Sequence, residues 1–354
     1  SKPESKFTPV ILNFYVDNQK NFWYANNFWM DKISFFPNAS QLTTFDSGHE
    51  TRAIMVDKQQ NLWVANKKGV IRIFNPDKTL KGYLTPEGTI SPKAISFSRN
   101  IYCFTEDEQG NIWMGSKWDG IIRLSPKRDG SFQIRNYVHK EEDPYSLSNN
   151  SVYCIYQDSK KRMWIATHGG GINLHQETAD GEIRFLHNGN LLKDYSKDKF
   201  NKVRVIKEVN NTLLVGTTEG LITFSCNFER PEEIKFYTNV RIPDLASSLS
   251  SNDVIYIYTD SRQNSYVLTF TGGINQIISN NLLTDQIQFK TYTKRNGLVS
   301  DLVLSMIEDQ QKNLWVISEN TLAKFDPENG TFEHYNEKHL QKEIYFSEAS
   351  PAII

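Results

Sequence analysis

The sequence predicts an all-β fold in which one four-stranded unit is used seven times. Three observations carry that reading: a recurring phrase, short strand-like runs between its copies, and turn residues that bound those runs. The clearest copy of the phrase is Glu106-Asp107-Glu108-Gln109-Gly110-Asn111-Ile112-Trp113-Met114-Gly115. Looser copies run from Val56-Asp57 to Asn61-Leu62-Trp63-Val64-Ala65, from Gln157-Asp158 to Arg162-Met163-Trp164-Ile165-Ala166, and from Glu308-Asp309 to Asn313-Leu314-Trp315-Val316. A fixed long period means that one supersecondary unit recurs, so no single motif is read before the repeat is.

Alignment on the Trp position gives seven members: Trp23, Trp63, Trp113, Trp164, Leu214, Tyr266 and Trp315, spaced 40 to 52 residues apart. Each unit opens with an apolar run ending in an acid, such as Ile101 to Asp107 or Val303 to Asp309. A polar turn follows, then the Trp strand. A second turn, often with Gly, leads to a third strand such as Gly120 to Leu124 or Gly220 to Phe224. A fourth short strand closes the unit, as in Phe132 to Tyr137 and Phe332 to Tyr335. Runs this short, β-branched and aromatic, bounded by Gly, Asn and Asp, are strand and hairpin chemistry.

Four antiparallel strands cannot bury both faces alone, and radial stacking of seven such sheets buries each between two neighbours. The expected architecture is therefore a seven-bladed β-propeller. The aligned Trp residues become wedges between blades. Burying most of a Trp side chain, about 200 Å2 at about 25 cal/mol per Å2, stabilises by roughly 5 kcal/mol before entropy is counted. Leu214 and Tyr266 mark the weakest blades by this measure. The acid that closes the first strand is expected to accept backbone N–H groups within its own turn. The propeller is expected over residues 7–335. Residues 336–354 form a tail that either helps close the ring or begins a further repeat or module.

Composition fits a large core: among 354 residues, 38% are hydrophobic and 12% aromatic. Lys plus Arg number 40 against 41 Asp plus Glu, so no global field favours nucleic acid or an anionic membrane. No run of eighteen apolar residues is present, so no contact with a membrane is expected from this chain. The N-terminus lacks the apolar stretch of a signal peptide; if the parent is exported, this is an excised piece of it. Cys103 and Cys154 occupy equivalent positions four residues before Asp107 and Asp158. They read either as small buried hydrophobes or as a disulfide pair, and Cys226 is left over.

Asn296-Gly297-Leu298-Val299-Ser300-Asp301, followed by Val303 through Asp309 and by Asn313-Leu314-Trp315-Val316, resembles the two-component regulator propeller repeat. Ser146-Leu147-Ser148-Asn149-Asn150-Ser151-Val152 leads into the fourth copy in the same way. The first, fifth and sixth copies depart from the pattern, lacking its Trp or Gly. The resemblance implies the periplasmic sensor region of a Bacteroides-type hybrid two-component histidine kinase. It also implies a second propeller and other modules in the parent, a homodimer, and an oligosaccharide or glycan fragment as ligand.

No catalytic signature competes with that reading. The seven histidines lack metal-ligand spacing, no Gly-x-Ser-x-Gly elbow occurs, and His168-Gly169-Gly170-Gly171 sits where a tight turn is expected. No catalytic residue, metal or cofactor is expected. Two acids on separate blades can still meet without a linear motif, which keeps a propeller glycosidase or polysaccharide lyase as an alternative, with Asp119 and Glu219 as its acids. A generic scaffold of the WD-repeat kind is disfavoured, because Trp113 precedes Met114 and Trp164 precedes Ile165 rather than Asp.

Loops on a rigid scaffold carry function. Those joining second to third strands share a face with those joining one unit to the next. On that face Trp29 and Trp118 stand outside the repeated Trp position. An aromatic face beside amides and acids suits a sugar ring. The candidate ligand residues are Trp29, Trp118, Asp119, His168, Phe270, Lys67 and Glu219. The remaining alternative is a structural relay, a propeller without its own ligand.

Overall fold

The computed structural model describes residues 10–16, 21–26, 30–36, 39–44, 51–309, 311–318, 321–335 and 345–346, with backbone alone before residue 51 and at 345–346. Seven sheets follow one another along the chain, each with its strands in sequence order and antiparallel. Sheets three to seven are four-stranded. The second carries a fifth strand, Ile90–Ser91, beside Leu80–Leu84. In the first, Tyr345–Phe346 runs parallel to Val10–Ile11 beside the opening strand. No helix among the described residues is long and apolar enough to cross a membrane.

The first strand of each sheet lies against the first strand of the next. The series runs Val10–Val16, Thr51–Val56, Ile101–Glu106, Val152–Gln157, Val203–Val209, Val254–Thr259 and Val303–Glu308. These strands form the inner edges of seven blades arranged as a β-propeller. The core is accordingly divided into slabs between consecutive blades. One joins Met55 and Trp63 to Phe104 and Met114, the next Trp113 to Ile155 and Phe185. Others join Trp164 to Phe224, Leu214 to Val267, and Tyr266 to Trp315. Trp63, Trp113 and Trp164 do wedge between blades, Trp63 against Phe104 of blade 3 at 6.3 Å. Trp113 meets His175 of blade 4 edge-on at 5.0 Å, and Trp164 meets Phe224 of blade 5 at 4.9 Å.

The recurring acid has a fuller role than turn capping. Asp107 Oδ1 accepts the Asn111 backbone N–H at 2.8 Å, as the sequence leads one to expect. Its Oδ2 also accepts the Asn111 amide at 2.8 Å and the Trp113 indole N–H at 2.8 Å. The clamp recurs at Asp57–Trp63 (2.9 Å), Asp158–Trp164 (2.9 Å) and Asp309–Trp315 (2.8 Å). Each indole can therefore be buried without orphaning its donor. Tyr266 keeps the bond through its hydroxyl, at 3.2 Å to Asp260, so blade 6 is not weakened in the way its missing Trp suggests. Blade 5 alone drops the device among the blades with described side chains. Asn210 and Asn211, at φ 47° and 60°, make a two-residue hairpin turn there, and Leu214 needs no partner.

Neighbouring blades are tied at this same end. The last acid of the inner strand reaches back to the residue after the previous blade's clamp Asp: Glu106 to Lys58 N at 2.6 Å, Glu208 to Ser159 N at 2.6 Å, and Glu308 to Ser261 N at 2.8 Å. Cys103, Cys154 and Cys226 are free thiols, so the packing reading of the cysteines holds. Burial pushes the Cys154 thiol up to about 11.

Candidate functional site

Each inner strand contains one extra residue that breaks its ladder with the second strand. The register slips between Thr51 and Ala53, Ile101 and Cys103, Val152 and Cys154, Val203 and Val205, Val254 and Tyr256, and Val303 and Ser305. The backbone of blade 1 slips likewise between Ile11 and Asn13. A bulge re-aims the side chain it carries. The residues concerned, where side chains are described, are Arg52, Tyr102, Tyr153, Arg204, Ile255 and Leu304. Repeated on innermost strands, the bulge gives one such position per blade around the axis.

Four backbone hydrogen bonds place further residues beside them. Lys117 donates its N–H to Asn100 O at 3.0 Å, His168 to Ser151 O at 2.7 Å, Thr218 to Lys202 O at 3.1 Å, and Phe270 to Asp253 O at 2.8 Å. In blades 3 to 6 the residue after the second strand is thereby held next to the residue just before the inner strand, at the end opposite the clamps.

The side chains at these positions form a continuous row over blades 2 to 4. The Arg52 guanidinium lies 5.4 Å from the Tyr102 ring centroid. Tyr102 stacks on Tyr153 at 4.7 Å and 8°, and Tyr153 stacks on His168 at 4.8 Å and 19°. Arg204 follows on blade 5, paired with Asp253 at 3.2 Å through both Nε and Nη2. Burial, then the charges of Arg204 and Lys202 and more weakly that of Lys117, hold His168 below the usual imidazole range. It is a neutral ring at neutral pH. Burial, and then Tyr102, raise the Tyr153 phenol, so it keeps its proton. On blades 6 and 7 the described residues at equivalent positions are Asp253, Ile255, Phe270, Leu302 and Leu304, with Ile255 and Leu304 buried in the core between those blades.

The residues expected from sequence fall in different places. His168 belongs to the stacked row, and its triple-Gly segment is the expected turn: Gly169 and Gly171 have φ of 142° and 74°. A Cβ on Gly171 would meet Tyr195 Cε1 at 2.8 Å. Trp118 is 65% exposed, with Lys117 Nζ 4.4 Å from its ring. Asp119 is half-buried in that loop, its N–H bonded to Ser116 Oγ at 2.7 Å. Lys67 is exposed in the matching loop of blade 2. Phe270 packs against the core between blades 6 and 7. The Glu219 carboxylate accepts the Phe200 N–H, which turns it toward the connection between blades 4 and 5. Trp29 lies outside the described residues. Sequence reasoning missed Arg52, Tyr102, Tyr153 and Arg204. Among the described residues, no group of three His, Cys, Asp or Glu is placed to hold a metal ion.

Residues 96–118 and 146–169 match the two component regulator propeller family. The chain carries two-component regulator propeller repeats. The matched segments contain Tyr102, Lys117, Tyr153 and His168, so the regulator repeats include the middle of the stacked row. Among curated proteins, the chain is similar to histidine kinase P4 of Formosa agariphila, 30% identical over 149 residues, which is 41% of this chain and 10% of that one. Among solved structures, the chain aligns over 95% of its length with half of the extracellular domain of a B. thetaiotaomicron hybrid two component system, at 16% identity and a TM-score of 0.45. The WD40 propeller domain of Doa1 aligns over 88% of this chain and 90% of its own, at 12% identity and a TM-score of 0.55. Virginiamycin B lyase of Staphylococcus aureus aligns over 83% and 86%, at 16% identity and 0.55. The two likenesses with a TM-score of 0.55 speak to the propeller fold. The chain spans about a tenth of its kinase relative's length.

Proposed function

We propose that this regulator-repeat chain is the extracytoplasmic, non-catalytic signal-input propeller of a hybrid two-component histidine kinase. In this reading it responds to an oligosaccharide, and its parent transmits the response by shifting the arrangement of neighbouring propellers or of a dimer. A ligand can only shift such an equilibrium by its differential affinity for the two arrangements. One observation carries the proposal: the two segments that match the two-component regulator propeller repeat, supported by the histidine kinase relative.

The test is a transcriptional reporter driven by the full-length parent and challenged with a panel of glycan digests. The reading expects an inducer among them, and expects loss of induction, with normal protein levels, when the bulge-bearing ends of blades 3 and 4 are altered. Induction that survives replacement of this whole propeller by an unrelated one would overturn it. A relay propeller without its own ligand expects loss on replacement but no effect of single substitutions at those blade ends.

A further inference from the structure

The bulge positions hold a charge pattern that a neutral sugar would not require. Among the described mouth residues of blades 2 to 5 are Lys67 and four further cations, Arg52, Lys117, Lys202 and Arg204, and Asp253 of blade 6 pairs with Arg204. All four approach the Tyr102–Tyr153–His168 row. Arg52 covers the outer face of Tyr102, and the charges of Lys117, Lys202 and Arg204 are felt at His168. The ring faces inside the row are taken up by one another, so what the row offers a ligand is its edge. That edge carries the phenol hydroxyls of buried Tyr102 and half-buried Tyr153 and an imidazole that burial, with the nearby charges of Arg204 and Lys202, keeps neutral.

From this juxtaposition we propose that the axial mouth of blades 2 to 5 binds an anionic saccharide, with its carboxylate or sulfate group seated against the edge of the Tyr102–Tyr153–His168 row between Lys117 and Arg204. Charge-assisted hydrogen bonds from ammonium and guanidinium groups hold the anion. The phenols donate to its remaining oxygens or accept from neighbouring sugar hydroxyls. The proposal rests on the sensor reading above and specifies the ligand class of that sensor.

Isothermal titration of this chain tests it with four probes: an oligouronate, a sulfated oligosaccharide, a neutral oligosaccharide of equal length, and inorganic sulfate. The account expects one of the two anionic sugars to bind, identifying carboxylate or sulfate as the group read, with affinity falling several-fold between 50 and 500 mM salt. The exposed and half-exposed lysines permit a variant that folds: Lys117→Gln with Lys202→Gln is expected to weaken that binding about tenfold or more. Tyr153→Phe, which keeps the stack and removes one hydroxyl, is expected to weaken it several-fold. Equal binding of the neutral sugar, unchanged by the lysine variant, overturns the anionic inference and leaves the sensor reading standing. Binding of sulfate with neither anionic sugar overturns the saccharide class. Binding of no probe, while the parent's output still depends on this propeller, overturns the site and favours a relay. Output independent of the propeller overturns the sensor reading itself.

Discussion

At the turn between first and second strands, blades 2, 3 and 7 repeat the same Asp, Asn and Trp with the same three hydrogen bonds. Blades 4 and 6 vary one partner each, Arg162 for Asn and Tyr266 for Trp. At the opposite end of the same two strands, the corresponding positions read Arg52, Tyr102, Tyr153, Arg204, Ile255 and Leu304. The first set is uniform because one buried indole donor has to be satisfied in each blade. The second is varied: Arg52, Tyr153 and Arg204 are half-buried, whereas Tyr102, Ile255 and Leu304 are buried, the last two in the core between blades 6 and 7. Recurrence therefore marks stability in this chain, and departure from recurrence within a fixed backbone position marks the place where we propose that a ligand is read.

Breaking the uniform end gives the largest expected effect. Trp164→Ala empties a site that is 0% exposed and should cost about 3–5 kcal/mol, read as a lowered denaturation midpoint. Asp107→Ala should cost about 2–3 kcal/mol or more, because it strands the Trp113 indole and the Asn111 amide together. A midpoint unchanged in either variant would remove the clamp from the account.

The next effect is a pH dependence. His175 lies against Trp113, and burial, with the nearby Arg123 charge, lowers it to about 4 from an ordinary value of 6.5. The unfolded chain thus takes up a proton between pH 6.5 and 4 that the native state refuses. Stability is full above pH 6.5 and falls as pH drops through that window, by about 3 kcal/mol in the limit. His175→Phe should flatten this part of the pH profile; an unaltered slope would contradict the assignment.

Substitutions at the varied end should show the reverse balance. Lys117→Gln with Lys202→Gln should leave the unfolding free energy within about 0.5 kcal/mol per site while changing ligand binding. The smallest effect is expected from Trp118→Ala. Its ring is mostly in water, so stability should change by less than about 0.5 kcal/mol. Any change belongs to binding alone, which a titration alongside the denaturation curve separates.

The uniform end was largely legible in the sequence. The period aligns Trp63, Trp113, Trp164, Leu214, Tyr266 and Trp315, and every one is buried. The indole bond to the clamp Asp was not legible, because it spans six residues and closes only once the hairpin forms. The varied end was half legible. His168 stood out against the repeat and does join the row. Tyr102 and Tyr153 were hidden because an inner strand reads as a continuous apolar run, and an aromatic within it looks like core. The bulge stacks them in a row, although Tyr102 stays buried, and no alternation pattern announces an extra residue. The one available signal was the second position of each first strand, where Arg52 and Arg204 interrupt apolar runs. Phe270 illustrates the converse: it lies off the repeated Trp position, yet packs into the core of blades 6 and 7.

The most direct measurement is the dose–response curve of the full-length parent's transcriptional output to its inducing saccharide, with and without Tyr153→Ala together with Lys117→Gln at equal protein level. If the propeller mouth reads the ligand, the half-maximal concentration rises about tenfold or more while the uninduced output stays the same. Superimposable curves would contradict the account.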